Sequence, residues 1–213
     1  MSDVMVRIGD LWWPAADRDA RPVIVGDCAP AIAALLPHIV GREAMVQAGG
    51  NVGTYPIALA KHFKRVWTAE PEPTNYDCLE LNLQAHDPEK RVTALRAAFG
   101  EKLGSCRPLI FNANNCGAHQ VTFDKGETPV WTIDELELDA CDCIWGDVEG
   151  SELFMLKGAE GTIEKFSPTI AIEDKGLHRH FGIPDGEIQR WLAERGYSEV
   201  ARIGNDKVFR RTS

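Results

Sequence analysis

Residues 46–53 read Val-Gln-Ala-Gly-Gly-Asn-Val-Gly, and Glu70 stands at the end of the next apolar run. Few folds accommodate that series. Val46 and Ala48 belong to a short apolar stretch that stops at Gly49, Gly50 and Gly53. Thr54 to Phe63 then carries apolar residues at helical spacing, and Val66-Trp67-Thr68-Ala69 forms a second run closing on Glu70. The order is strand, glycine turn, helix, strand, acid. Glycines at such a turn permit positive φ and let a ligand lie against bare backbone amides. An acid about 20 residues on, at the tip of the second strand, is placed to accept both hydroxyls of a ribose. The pair points to an adenosine-containing ligand at the carboxyl edge of a parallel sheet.

Spacing narrows the ligand. Gly-Gly-Asn-Val-Gly brings its third glycine one residue earlier than G-x-G-x-x-G, which counts against a nicotinamide or flavin cofactor. No G-K-[ST] follows, so a Walker phosphate loop is excluded. S-adenosylmethionine, with a ribose and no pyrophosphate, is the remaining ligand of this shape. The bland alternative is a tight strand-to-helix connection that binds nothing.

The chain of 213 residues has the size of one α/β domain with a modest extension. Its 44% apolar and 26% charged residues suffice for a proper core. A formal charge of −9 disfavours general affinity for nucleic acid. The N-terminus shows no basic segment followed by an apolar run, and no stretch approaches a membrane span. The six cysteines are therefore expected as reduced thiols of a cytoplasmic protein. Cys141-Asp142-Cys143 lacks the paired spacing of a zinc site.

Residues 1–43 read as a lead-in segment and a helix, and residues 44–213 as the ligand-binding domain. Trp12 and Trp13 in the lead-in are either an adhesive edge or a core plug. Cys28 to Val40 has Ile32, Leu35, Leu36 and Ile39 on one helical face, with Pro30 suited to the first turn. From Ala44 the pattern alternates. Strands are expected near 44–48, 66–70, 92–97, 142–147 and 169–173, and helices near 54–64, 74–86, 150–165 and 185–196. This is an α/β, doubly wound pattern with a mostly parallel sheet. The segment 98–135 breaks the rhythm, either as an insertion at the mouth of the site or as an edge hairpin without contact to substrate. Tyr197 to Arg210, around Gly204-Asn205-Asp206, fits a closing antiparallel hairpin.

Three blocks resemble the FkbM-type S-adenosylmethionine-dependent methyltransferases. The first is Val46 to Gly53, similar to the family's D-V-G-A-N-V-G loop. The second is Ala69-Glu-Pro-Glu-Pro73 with Asn75, Leu79 and Asn82. The third is Ile133-Asp134-Glu135-Leu136, then Asp147-Val-Glu-Gly150, Glu152 and Leu156-Lys-Gly-Ala159, ending at Pro168 and Glu173. The resemblance covers roughly residues 44–175, and Gly196-Tyr197 and Asn205 to Phe209 resemble the family's ending. It implies a Rossmann-like class I methyltransferase fold with seven strands, and O-methylation of a small metabolite or sugar hydroxyl. Two positions depart from it. Gln47 stands where most members carry an acid that helps hold the cofactor's methionine amino group, and Trp145 stands where lysine is usual.

Methyl transfer from a sulfonium is an in-line displacement, so the protein's work is alignment and deprotonation of the acceptor. Asp147, at the tip of the fourth strand, is the candidate base or positioner of an acceptor hydroxyl, or else a cap for the helix near Gly150. His178 and His180 follow the fifth strand, where either can act as base at neutral pH; His178 is taken as the second catalytic candidate. Gln47, Gly49, Gly50, Asn51, Gly53, Glu70 and Pro71 are the expected cofactor contacts. Asp147, Glu149 and Glu152 carry oxygen ligands suited to Mg2+, or equally favour a helix N-terminus from solvent, and no metal ligand is assigned. The competing readings are a non-catalytic S-adenosylmethionine-binding module and a nucleotide-cofactor oxidoreductase. Nucleic-acid methylation lacks an Asn/Asp-Pro-Pro-Tyr type of motif.

Overall fold

The computed structural model describes residues 4–18, 21–124 and 126–212, with the backbone alone for residues 21–27. The first elements form a two-stranded antiparallel hairpin, β1 (Met5–Ile8) and β2 (Leu11–Pro14), followed by helix α1 (Arg21–Leu35). Then come β3 (Ala44–Ala48), α2 (Thr54–Leu59), β4 (Arg65–Ala69), α3 (Pro73–His86) and β5 (Val92–Leu95). Four short strands follow: β6 (Ala98–Phe99), β7 (Gly104–Leu109), β8 (Gln120–Thr122) and β9 (Thr128–Trp131). The alternation resumes with β10 (Cys143–Gly146), α4 (Glu152–Lys157), α5 (Glu160–Phe166), β11 (Thr169–Glu173) and α6 (Glu187–Ala193). The hairpin β12 (Tyr197–Ile203) and β13 (Asp206–Arg211) closes the chain.

The seven-stranded sheet has the order β12-β13-β11-β10-β3-β4-β5, parallel except that β13 runs antiparallel to both neighbours. Consecutive residues of its strands feed opposite faces, as the two-residue period requires. Val46, Ile144, Ile170 and Phe209 join one core cluster with Leu153, Leu156, Ile163, Trp191 and Leu192 of α4–α6. Met45, Cys143, Ala171 and Val208 join another with Ile32, Leu35 and Leu59 of α1 and α2. The strand order reverses between β3 and β10, and it is there that a doubly wound sheet opens a crevice at its carboxyl edge.

Several boundaries differ from expectation. Helix α1 starts seven residues before Cys28, so Pro30 lies inside it and not in its first turn. Its end is set by a 3-10 turn over Leu36–His38, with Pro37 unable to continue an α-helical ladder. Helix α2 is shorter than its apolar pattern, and the expected helix 150–165 is two, separated at Gly158 and Ala159. A side chain at Gly158 would meet the Gly100 carbonyl at 2.0 Å, so close packing of backbones breaks the helix there. The irregular segment 98–135 forms a second sheet, β6-β9-β7-β8.

Trp13 is wholly buried, packed with Val52, Cys78 and Cys116. It is a plug. Asn82 on α3 holds the adjoining strand, accepting from Trp12 N (2.6 Å) and donating to Trp12 O (2.9 Å).

Candidate active site

A cleft of about 560 Å³ lies at the carboxyl edge of β3, β4, β10 and β11. Its floor is the turn after β3. The amides of Gly49 and Gly50 both donate to Ala69 O, at 3.1 and 2.9 Å, which folds the turn onto the tip of β4. Gly49 has φ +86°, and a Cβ there would lie 2.0 Å from Asp147 O. Only glycine fits. Gly53, with φ +97°, packs against Leu79 of α3 and does not line the cleft; it sets how α2 leaves the turn.

Glu70 is buried at the end of β4. Its Oε2 accepts from Asn51 N (2.8 Å) and its Oε1 from Glu72 N (2.8 Å), so one carboxylate ties the glycine turn to the start of α3. Burial pushes the carboxyl up to about 7, against the pull of the Glu72 and Asn51 amides. Each oxygen keeps a lone pair for a further donor. Pro71 and Asn51 also line the cleft.

Gln47 is buried and fully engaged: Nε2 donates to Ala48 O (3.1 Å) and Gly49 O (3.0 Å), and Oε1 accepts from Thr68 Oγ1 (2.9 Å). It braces the turn and brings no charge to it.

The opposite end of the cleft is acidic. Carboxylate oxygens of Asp147, Glu149 and Glu173 lie within 4.8 Å of one another. Lys175 Nζ sits among them, 3.2 Å from Glu149 and 2.6 Å from Glu173. Asp206 pairs with Glu173 across β13 and β11 and lines the same end. Asp147 lines the cleft and is open to solvent there; the surrounding protein, then the charge of Glu173, raises its carboxyl. Burial followed by Glu173 lifts Asp206 to about 7. Burial alone would lower the Lys175 ammonium, but Asp147, Glu173 and Glu149 outweigh it and raise it.

The trio expected from sequence, Asp147, Glu149 and Glu152, is not what gathers. Glu152 Oε1 accepts from Gly150 N (3.0 Å) and Val148 N (3.4 Å), so this carboxylate closes the turn after β10, and Glu173 takes its place in the cluster. His178 is likewise apart from the cleft. Its ring faces Asp185 Oδ1 (3.0 Å) and Asp174 Oδ1 (3.6 Å) in a shallow depression on the far side of Lys175. Asp147 and His178 are therefore not brought together, because the 3-10 turn Leu177–Phe181 turns the histidine toward α6.

Residues 115–119 line the cleft, so part of the 98–135 segment lies at its wall. Cys116 O accepts from Asn75 Nδ2 (3.0 Å), and Cys116 Sγ lies 3.3 Å from Asn51 Oδ1. His119 has both ring nitrogens buried without a hydrogen bond of ordinary geometry, and burial lowers its pKa. Thr54 Oγ1 and Asn75 Oδ1 are also buried and unpaired. Thr54, Asn75 and His119 all line the cleft, and the only other such atom among the described residues is Tyr197 OH. Buried polar groups are normally paired, so these atoms are the spare donors and acceptors of the residues around the cleft. Of these residues, only Asn75 carried a signal in the sequence, through the block after Glu70.

A doubly wound sheet of this order, with a glycine turn and a terminal acid on neighbouring strands, is the Rossmann-like fold of class I methyltransferases. The methyltransferase FkbM domain model matches residues 47–199, and the chain belongs to that family. A methyltransferase FkbM from Methylobacillus flagellatus has a similar structure, with 24% identity and a TM-score of 0.57. That likeness covers 79% of this chain and 43% of the other, so the chain spans less than half of that relative. The N-methyltransferase NodS of Bradyrhizobium japonicum, at 12% identity and a TM-score of 0.53, is covered over its whole length by 92% of this chain. A precorrin 8w decarboxylase from Methanobacterium thermoautotrophicum has 15% identity and a TM-score of 0.52, with 86% of this chain and 90% of that one covered. At these identities the structures speak for the fold. No curated protein matches the sequence significantly.

Proposed function

We propose that this chain is an enzyme that binds S-adenosylmethionine in the cleft and methylates an oxygen of a small metabolite or sugar. One observation carries the cofactor reading: Glu70 is fixed by two backbone amides, with lone pairs left over, beside the glycine turn that floors the cleft. Two vicinal hydroxyls suit that carboxylate. Asn75 Oδ1 and the imidazole of His119 offer further unpaired polar atoms along the same wall. A solved NodS structure of similar fold is a complex with S-adenosyl-L-homocysteine, at 13% identity and a TM-score of 0.51. The oxygen preference rests on the family resemblance.

Bound, the cofactor supplies an electrophilic methyl group on a sulfonium. The chain's own part is to hold the acceptor and take its proton. The protein around it and the neighbouring Glu173 carboxylate raise the Asp147 carboxyl, which makes Asp147 the group that takes the proton of an acceptor hydroxyl. Lys175, paired with Glu173, also favours the ionised form of Asp147 that a base needs. Isothermal titration with S-adenosylhomocysteine tests the cofactor, and release of S-adenosylhomocysteine with a panel of hydroxylated acceptors tests the reaction. Binding without turnover in any acceptor, together with unchanged behaviour of Asp147→Asn, would favour the non-catalytic module.

A further inference from the structure

Resting on that reading, we propose that the acidic end of the cleft is the acceptor subsite, and that the acceptor carries a protonated amine beside its hydroxyl, as in an amino sugar or amino alcohol. Three independent observations support it. The first is charge. Asp147, Glu149, Glu173 and Asp206 converge there against Lys175, the one lysine or arginine lining the cleft among the described residues. A neutral sugar would leave those carboxylates poorly compensated; an ammonium pairs with them.

The second is the wall beside them. Tyr55 is half-buried on the cleft and set edge-on against buried Trp145, with centroids 5.1 Å apart and planes at 82°. A tyrosine fixed in this way beside carboxylates favours an organic cation over a hydrated metal ion, because the ring face attracts the cation and its alkyl substituents together. The Trp145 indole beside Asp206 favours its charged form. The third is an unpaired hydroxyl. Thr54, next to Tyr55, is 8% exposed and lines the cleft, yet its Oγ1 has no partner.

Divalent metal is the rival occupant. Three carboxylates within reach of one ion are what Mg2+ needs. Lys175 Nζ argues against it, since its contacts to Glu149 and Glu173 occupy the position a metal would take. In the amine reading the roles divide. Asp147 faces the reacting hydroxyl, and Asp206, which lines the cleft outside the Lys175 pairs with Glu149 and Glu173, holds the ammonium.

The experiment titrates the protein, saturated with S-adenosylhomocysteine, with D-glucosamine, D-galactosamine and ethanolamine, and with the N-acetyl form of each. MgCl2 is titrated in parallel, and heat is the readout. At least one amine is expected to bind about tenfold or more tightly than its N-acetyl form, which lacks the charge. Asp206→Asn should weaken that amine about tenfold and leave S-adenosylhomocysteine affinity unchanged. Equal or tighter binding of the N-acetyl forms, binding of none of the amines, or Mg2+ binding that competes with the amine would each overturn the proposal. Failure of S-adenosylhomocysteine itself to bind would instead strike the cofactor reading, and the amine titration repeated without it still judges the subsite.

Discussion

Glu70 does two jobs with one carboxylate. It joins the glycine turn to α3 through the Asn51 and Glu72 amides, and it presents what remains of its lone pairs to the cleft. Replacing it with alanine should weaken S-adenosylhomocysteine binding by roughly 1–3 kcal/mol, as for a lost hydrogen bond to a charged group. Calorimetry showing unchanged affinity would remove Glu70 from the site. Its raised pKa, about 7, adds a pH signature. Hydroxyl donors favour the ionised form, so binding releases a proton when Glu70 starts protonated. Affinity should therefore fall as pH drops from 8 to 6, and titrations in buffers of different ionisation heat should report proton release. Gly49→Ala is harsher. The new Cβ meets Asp147 O at 2.0 Å in a left-handed backbone, and the turn can move only by giving up its bonds to Ala69 O. A loss of at least about 2 kcal/mol in stability is expected, read from denaturant unfolding.

The N-terminal hairpin matters because of what it holds. Trp13 Nε1 donates to Asp17 Oδ2 (2.7 Å), the same oxygen accepts from Cys116 N (3.4 Å), and Arg18 N donates to Asn114 O (2.9 Å). The hairpin thus anchors the loop that roofs the cleft. Trp13→Phe keeps most of the plug and drops its hydrogen bond; it should cost about 1 kcal/mol and speed amide exchange in residues 112–119. Trp13→Ala should cost about 3–5 kcal/mol. Unaltered exchange in that loop for both variants would mean the hairpin is a plug alone. This coupling was invisible beforehand, since Asp17 and Cys116 are 99 residues apart and neither lies in a periodic run. The glycine turn and Glu70 were legible for the opposite reason: their geometry follows from residues a few positions away. The sheet was legible through short apolar runs, buried on both faces, that alternate with helical stretches. The acidic end was half legible. Asp147 ends a recognisable strand, but Asp206 reaches the cleft only through the antiparallel register that sets it opposite Glu173. His178 stands outside the cleft lining because a short 3-10 turn, unsignalled by any pattern, carries it.

Over the whole molecule, the site is built at the expense of stability. Glu70, Glu152 and Asp206 are each lifted to about 7, in every case first by burial, and Asp147 is raised by the protein around it. In the unfolded chain such groups titrate near 4. Between those values the folded protein binds more protons than the unfolded chain, so stability contributed by these groups is fully present below about pH 4 and is lost as pH rises through about 7. The opposite sign belongs to Asp174, held below its ordinary value despite burial by Lys207, and to Asp185, lowered to about 2 first by Arg179 and then by His178. Those contributions are lost only as pH falls below about 4, outside the window; inside it, His119, lowered by burial, opposes the carboxyls, which outnumber it. The Tm of the unliganded protein should therefore decline by several degrees between pH 5 and pH 8, and Asp206→Asn should flatten the decline because an amide does not titrate. Saturating S-adenosylhomocysteine should recover more of the Tm at pH 8 than at pH 6, since the ionised Glu70 that destabilises the empty fold is the form that binds. A Tm that rises steadily from pH 5 to pH 8, identical in wild type and Asp206→Asn, would show that these carboxyls are solvated in the free protein and that the acidic end carries no stored charge for a ligand to relieve.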